Sequence, residues 1–328
     1  MGDDLGLGGV TVTEIIAGYG VSGVRTVRTT ASEADRTCLV EATEGHFVLK
    51  ISPWPGGGAT MQAALLAHVA GHDPELPVPR LLTDTDGRAV TRHGDSAVFV
   101  MTKCPGSSLE TAVLTGPLVD RIAQVQAGLI AALADLAPAA ARVPTEQEWC
   151  LDSMLGYAPL AEQHLDTGLG AFVADVVADF RTRVVPVRDG LPHQVLHADF
   201  NLSNLLVTGD RVTGVIDFGD AVHAPRVYDV AVTTCYLALA LGSLTHPLVD
   251  RYVATVTSLV GLDPVEVSLV PALALTRLAM VLVWGREVAA RHPERAGYAL
   301  RYDGLAVALA TTVQHESVPV LEYGGTPS

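Results

Sequence analysis

The sequence of 328 residues predicts an α+β chain in two parts, a small antiparallel sheet followed by a mostly helical region that one hairpin interrupts. Three observations predict it. Up to about residue 104, short runs alternate apolar and polar residues, as half-buried strands do. Beyond about residue 118 the apolar spacing changes to the 3.6-residue period of helices. Between them Cys104-Pro105-Gly106 breaks the last strong β run. The expected division is therefore residues 1–104 and 105–328, with 103–108 as the hinge.

In chain order, Thr13-Glu14-Ile15-Ile16 predicts a helical turn ending at Gly18-Tyr19-Gly20-Val21-Ser22-Gly23. Those six residues match Gly-x-Gly-x-x-Gly, but a dinucleotide fingerprint follows a strand and opens a helix. Here the order is reversed, so the segment reads as a turn. Strands follow at Val24–Arg28, Thr37–Ala42 and Phe47–Ser52, the last two joined at Glu44-Gly45. In the third strand Phe47, Leu49 and Ile51 share one face, Val48 and Lys50 the other. A mid-strand lysine is ordinarily a solvated edge charge; the other reading is a phosphate-pairing lysine. After the Pro53–Gly58 breaker comes a helix over Thr60–Ala70 with Met61, Leu65, Leu66 and Val69 on its apolar stripe. Strands are expected at Arg80–Thr83, after the Asp86-Gly87 turn, and at Ala97–Lys103. The helical stretches are Leu118–Leu136, Leu169–Val184, Pro225–Leu241 and Val265–Arg291.

Composition narrows the function classes. A net charge of −15 argues against a general nucleic-acid binder, which needs a basic stripe. It is compatible with a cationic small molecule and equally with simple solubility. Cys38, Cys104, Cys150 and Cys235 are scattered without ligand-like spacing, which suggests free thiols in a reducing compartment. The N-terminal residues lack the basic and apolar regions of a signal peptide. The run Val230–Val249 is interrupted by Gly242, His246 and Pro247, so it reads as a buried helix and its exit rather than a bilayer span. A cytoplasmic protein without a membrane partner, monomeric or homodimeric, is the expectation.

The chemistry concentrates in His197-Ala198-Asp199-Phe200-Asn201-Leu202-Ser203-Asn204 and, shortly after, Asp217-Phe218-Gly219-Asp220. Leu205–Val207 and Arg211–Ile216 read as strands joined at Thr208-Gly209-Asp210. A hairpin that tight brings Asn204 and Asp217 side by side, with Asp199 on the loop entering it. Asp and Asn in loops ordinarily cap turns. Two oxygen donors beside a loop carboxylate also suit Mg²⁺, which takes few protein ligands plus phosphate oxygens. A nearby Asp can take a proton from a hydroxyl nucleophile.

Together, His-Ala-Asp-Phe-Asn-x-x-Asn, Gly-Val-Ile-Asp-Phe-Gly-Asp-Ala, Leu-Pro-Val-Pro-Arg at 76–80 and Tyr228-Asp229-Val230-Ala231 resemble the aminoglycoside phosphotransferase (choline/homoserine kinase-like) superfamily. The likeness runs from about Tyr19 to Tyr302. Ser32-Glu33-Ala34-Asp35 and the Asp-Phe-Gly-Asp-Ala ending look most like its hydroxylysine kinase branch. The resemblance implies a bilobal protein-kinase-like fold and transfer of an NTP γ-phosphoryl group to a hydroxyl. It implies Asp199 as catalytic base, Asn204 and Asp217 as Mg²⁺ ligands, and Lys50 on the phosphates of ATP or GTP. His197 would brace the loop. Thr102, Lys103 and Cys104 would hold the base, and the Thr29–Thr37 loop with Ser32 would cover the phosphates. One departure stands out. The helix after the lysine strand normally supplies a Glu for that lysine, but no acidic residue lies between His46 and His72, and Gln62 stands near the expected place. Either Gln62 positions Lys50, or an acidic residue from elsewhere takes over.

For the acceptor, Asp220, Asp152, Arg277 and Trp284 are the leading candidates, with His223, Arg226 and Glu287 behind them; snorkelling and core packing are the ordinary explanations for Arg277 and Trp284. Three functions follow: an antibiotic phosphotransferase conferring resistance or self-protection, a metabolic kinase of a hydroxylated amino acid or amino alcohol, or a nucleotide-binding pseudokinase. The first is favoured by an Ala/Val/Arg-rich composition of high-GC bacterial type.

Overall fold

A computed structural model of the chain describes residues 9–30, 35–55 and 58–316. Strands β1 (Thr26–Thr30), β2 (Arg36–Ala42), β3 (Gly45–Pro53), β4 (Val90–His93) and β5 (Ser96–Thr102) form one antiparallel sheet in the order β1-β2-β3-β5-β4. The alternation in β3 sorts its side chains as expected. Phe47, Leu49 and Ile51 join Val98 and Val100 beneath helix α1 (Val12–Gly18) in one buried cluster. Val48 and Lys50 face helix α2 (Ala59–His72), where Met61, Leu65, Leu66 and Val69 merge with the main core. Helix α1 begins at a Thr11–Glu14 capping box and ends in a turn at Tyr19 and Gly20, whose φ is +77°. The Gly-x-Gly-x-x-Gly segment is thus a helix exit.

One expectation changes. The strand at Arg80–Thr83 is reduced to a bridge between Leu81 and Met101, flanked by bonds from the Leu82 N–H to the Val100 carbonyl and from the Thr102 N–H to the Arg80 carbonyl. The Cys104-Pro105-Gly106 connector, expected as the hinge, lies against the central hairpin. Ser107–Ser108 (β6) pairs with the central hairpin, and Thr213 Oγ1 donates to the Pro105 carbonyl at 2.7 Å. Gly106 has φ +102°, and a Cβ there would lie 2.5 Å from the Val207 carbonyl, so only glycine lets the connector approach so closely.

The rest is helical around one core. Helix α3 (Gly116–Leu133) is capped by Thr115, with Pro117 in its first turn. Further helices span Thr167–Asp179, Val227–Leu241, Pro247–Val260, Pro264–Arg291 and Asp303–Glu316. Val227–Leu241 is nearly all buried and ends at Gly242 in the left-handed conformation. Pro264–Arg291 starts from an Asp263–Glu266 capping box; it is long and apolar enough to cross a membrane, yet 72% of its most apolar window is buried within the fold. Two short strands, β7 (His193–Leu196) and β10 (Val222–Pro225), pair antiparallel. The sequence reading missed them because each is only four residues long. Between them lies the hairpin of β8 (Leu205–Thr208) and β9 (Arg211–Val215), closed by Gly209-Asp210.

Candidate active site

The hairpin puts its open end where the local spacing requires. The Ile216 N–H donates to the Asn204 carbonyl at 2.9 Å, extending the ladder and leaving Asn204 and Asp217 adjacent. Asn201 caps the intervening turn, accepting from the N–H groups of Ser203 and Asn204. Asn204 Nδ2 donates to Asp199 Oδ2 at 2.7 Å and to the Asp199 carbonyl at 3.0 Å. Its Oδ1 is therefore the remaining donor atom toward a cation.

The loop itself is held from below. His197 is fully buried, its ring within hydrogen-bond distance of the Ile216 carbonyl and packed against Phe218. Asp229, in the first turn of the Val227–Leu241 helix, accepts the backbone N–H groups of His197 at 3.1 Å and Ala198 at 2.7 Å. Burial pushes the Asp229 carboxyl up, with His197 and the two N–H groups opposing it. Asp229 thereby ties the start of its helix to this loop. Ala198 and Asp217 both adopt left-handed φ, 62° and 64°, a costly conformation for residues with a Cβ and one that concentrates at functional sites.

Opposite the hairpin, β3 presents Lys50, only 6% exposed. Its ammonium donates to Asp217 Oδ1 at 2.7 Å and to Gln62 Oε1 at 2.9 Å. Gln62 Nε2 donates in turn to Asp35 Oδ2 at 2.9 Å, and Lys50 lies 3.9 Å from that same oxygen. Burial alone would raise the Asp217 carboxyl, but the Lys50 ammonium, His197 and the Gly219 N–H together hold it below the usual carboxylate range. Asp217 still keeps 45% of its side chain open to the cleft. Lys50 is thus no solvated edge charge.

Arg277 is the largest fully buried side chain. Its guanidinium donates to Asp199 Oδ1 at 2.6 Å and to the Trp149 carbonyl at 3.0 Å, and it lies over the Trp149 and Tyr236 rings. Burial works against its charge, but Tyr236 and Asp199 more than compensate, and its pKa is raised. Asp199 is therefore held on both oxygens, by an arginine and by an amide.

These residues share one cavity of about 140 Å³. Its lining includes Lys50, Gln62, Asp35, Asp199 and Asp217 together with Trp149, Asp220, Tyr236, Trp284, Arg277 and Arg301. Asp220 accepts from Gln147 Nε2 at 2.5 Å. Other candidates lie elsewhere. Asp152 pairs with Arg188 and accepts from the Tyr228 hydroxyl, Arg226 pairs with Glu266, and Glu287 pairs with His164 and Arg291. His223 packs against His193. Thr102 ends β5 and Lys103 and Cys104 follow it, all three outside this cavity; the N–H groups of Thr102 and Lys103 already serve the Arg80 and His46 carbonyls. Ser32 lies outside the described residues. Asp35, Tyr236, Trp149 and Arg301 were not singled out as site residues from the sequence, since nothing local marks a lone Asp or an arginine amid aromatics.

An amide oxygen and a carboxylate are hard donors suited to Mg²⁺. Among the described residues no group of three His, Cys, Asp or Glu side chains is placed to hold a metal, so an ion here would rely on the ligands of a bound phosphate chain.

Comparison with known proteins bears on family and fold. Residues 26–258 match the family described as the phosphotransferase enzyme family. The homoserine kinase of Parvibaculum lavamentivorans is 33% identical over 126 residues, 38% of this chain and 36% of that protein. Across the first three curated relatives the chain spans between 36% and 58% of their length. Among solved structures, a microcompartment-associated aminopropanol kinase superposes with a TM-score of 0.69 at 22% identity, covering 94% of this chain and 98% of that one. An amicoumacin kinase in complex with AMP-PNP, Ca²⁺ and Ami gives 0.66 at 12% identity, covering 94% of each chain. At these identities the structural matches show a shared fold.

Proposed function

The chain belongs to the phosphotransferase enzyme family, and from that premise we propose that it transfers the γ-phosphoryl group of a nucleoside triphosphate, ATP or GTP, to the hydroxyl of a compact amino alcohol or hydroxylated amino acid. One observation carries the reading. Lys50 from the sheet and Asp217 from the hairpin meet at 2.7 Å, beside an Asp199–Asn204 pair also bonded at 2.7 Å. Phosphoryl transfer asks a protein for little besides positioning and charge neutralisation, and these four residues are that set.

In this reading residues 1–104 form the nucleotide lobe and 105–328 the catalytic and acceptor lobe. Asn204 and Asp217 hold Mg²⁺, which when bound neutralises charge on the phosphate oxygens. Lys50 pairs with the phosphates. Asp199 accepts the proton of the acceptor hydroxyl as its oxygen bonds to the γ-phosphorus and the bond from that phosphorus to the bridging oxygen breaks, releasing the nucleoside diphosphate; Arg277 fixes the Asp199 carboxylate in one orientation. With the Thr102 and Lys103 N–H groups engaged, a purine would donate its amino or ring N–H to carbonyls of the connector and accept from the Cys104 N–H.

The lining of the cavity supports a cationic acceptor. The Asp220 carboxylate in that lining offers charge to an ammonium, while Trp149 is already faced by Arg277 and Trp284 stacks with Tyr157. The homoserine kinase relatives and the aminopropanol kinase neighbour point the same way, so a metabolic role is proposed ahead of antibiotic modification. The test is a γ-phosphate transfer screen with MgATP and MgGTP over homoserine, hydroxylysine, aminopropanol and aminoglycosides. Turnover on the first three classes supports the reading. Preference for an aminoglycoside would replace the acceptor, and nucleotide binding without transfer to any acceptor would replace the enzyme with a pseudokinase.

A further inference from the structure

We propose that Asp35 supplies, through Gln62, the negative charge that positions Lys50, so that an Asp35–Gln62–Lys50 relay stands in for a direct helix carboxylate–lysine pair. The proposal rests on the nucleotide-site reading above and adds a positioning residue to it. Protein kinases set their strand lysine with a helix glutamate. Here the helix position is an amide, and the charge arrives from the chain just before β2.

The chemistry of the three groups fixes the direction of the relay. An ammonium only donates, so Lys50 must face the amide oxygen of Gln62. An ionised carboxylate only accepts, so Asp35 must face the amide nitrogen. The observed contacts, 2.9 Å each, have that sense, and the reversed amide would set donor against donor and acceptor against acceptor. Asp35 is held independently, with Ser52 Oγ donating to its Oδ1 at 2.5 Å. Ser52 and Lys50 are alternate residues of β3, so they emerge on the same face. Asp35, Gln62 and Ser52 are all buried, and in such surroundings an unpaired carboxylate or ammonium is strongly disfavoured.

This arrangement explains why residue 62 is not acidic. A glutamate there would place a second carboxylate against Asp35 with no proton donor between them. It also separates two tasks. Asp217 touches Lys50 but is the proposed metal ligand, whereas Asp35 and Gln62 have no other assigned role. Gly58 leaves room for the Gln62 amide, since a Cβ there would lie 3.2 Å from Gln62 Nε2, tighter than an ordinary contact.

The decisive experiment is a rescue. MgATP affinity is measured by titration calorimetry on the full chain for wild type, Asp35→Asn, Gln62→Glu, the double variant Asp35→Asn/Gln62→Glu, and Lys50→Ala, with thermal melts to establish folding. Each single relay variant should weaken binding about 10-fold or more, as expected when a charge-assisted hydrogen bond is lost. In the double variant an asparagine donates to a glutamate that faces Lys50 directly, so affinity should return to within about 3-fold of wild type. A purely structural role for Asp35 would not be rescued by a carboxylate at residue 62. A folded double variant no better than the weaker single variant overturns the relay, as does wild-type affinity in Asp35→Asn while Lys50→Ala loses binding. If Lys50→Ala also binds like wild type, or wild type binds no nucleotide, the nucleotide-site reading itself fails and the relay falls with it.

Discussion

Replacing Arg277 by methionine removes a buried cation from beneath Asp199 while refilling much of its stem. The guanidinium is 1% exposed and donates to Asp199 at 2.6 Å and to the Trp149 carbonyl at 3.0 Å. Removing one partner of a buried ion pair costs about 3–5 kcal/mol, because the other charge stays buried without compensation. Asp199 keeps 16% of its side-chain surface exposed and retains its bond from Asn204, which places the loss toward the lower end. The lost contacts with the Trp149 and Tyr236 faces add about 0.5–2 kcal/mol. At about 1.5 °C per kcal/mol for a chain of 328 residues, the melting temperature should fall by roughly 5 °C or more. The sign of the double variant is the sharper test. Arg277→Met/Asp199→Asn has neither buried charge, so it should be more stable than Arg277→Met alone despite the extra substitution. Urea unfolding of the four members of the cycle should return a coupling of about 1–3 kcal/mol. A melting temperature within about 2 °C of wild type for Arg277→Met, or a double variant less stable than that single, would refute the pairing argument.

Three further outcomes are expected. Asp199→Ala should abolish phosphoryl transfer while MgATP binding persists; near-wild-type turnover would remove it as the base. Asp217 has a folded-state pKa below its unfolded value of about 3.9, so its pairing stabilises fully above that value and is lost as pH falls through the folded pKa. The melting-temperature gap between wild type and Asp217→Asn should therefore shrink from pH 5 toward pH 3, and a gap that widens would contradict the assignment. The four cysteines are buried and form no disulfide, with burial pushing Cys104 and Cys150 up to about 11 and Cys235 up to about 12. A thiol reagent at pH 8 should label the native protein slowly and all four after unfolding; rapid stoichiometric labelling of native protein would rule this out.

How much of the site was legible depended on how local its geometry is. Asn204 and Asp217 flank a hairpin closed by a two-residue turn, so their adjacency follows from chain length alone. Lys50 was placed on the face opposite Phe47, Leu49 and Ile51 by the period of the strand. The missing helix glutamate was visible too, and with it the alternative that a distant acid takes over. Which acid was not visible. Asp35 reaches Gln62 only because β2 pairs with β3 in one register and α2 packs on that face at one rotation.

Arg277 shows the same limit more strongly. On an apolar helix an arginine reads as a snorkelling or structural residue, because periodicity tells which face is buried but not what waits there. The packing of Pro264–Arg291 against Val227–Leu241 brings it to Asp199, 78 residues away in sequence. That same packing leaves Asp152 with Arg188 and Tyr228, away from the cavity. The sequence by itself determined the α+β class, the hairpin and its oxygen donors, because these follow from short-range spacing and hydrophobic period. Tertiary structure alone decided the partners of Lys50 and Asp199, because charges buried together must be satisfied by whatever the packed elements bring within hydrogen-bond reach.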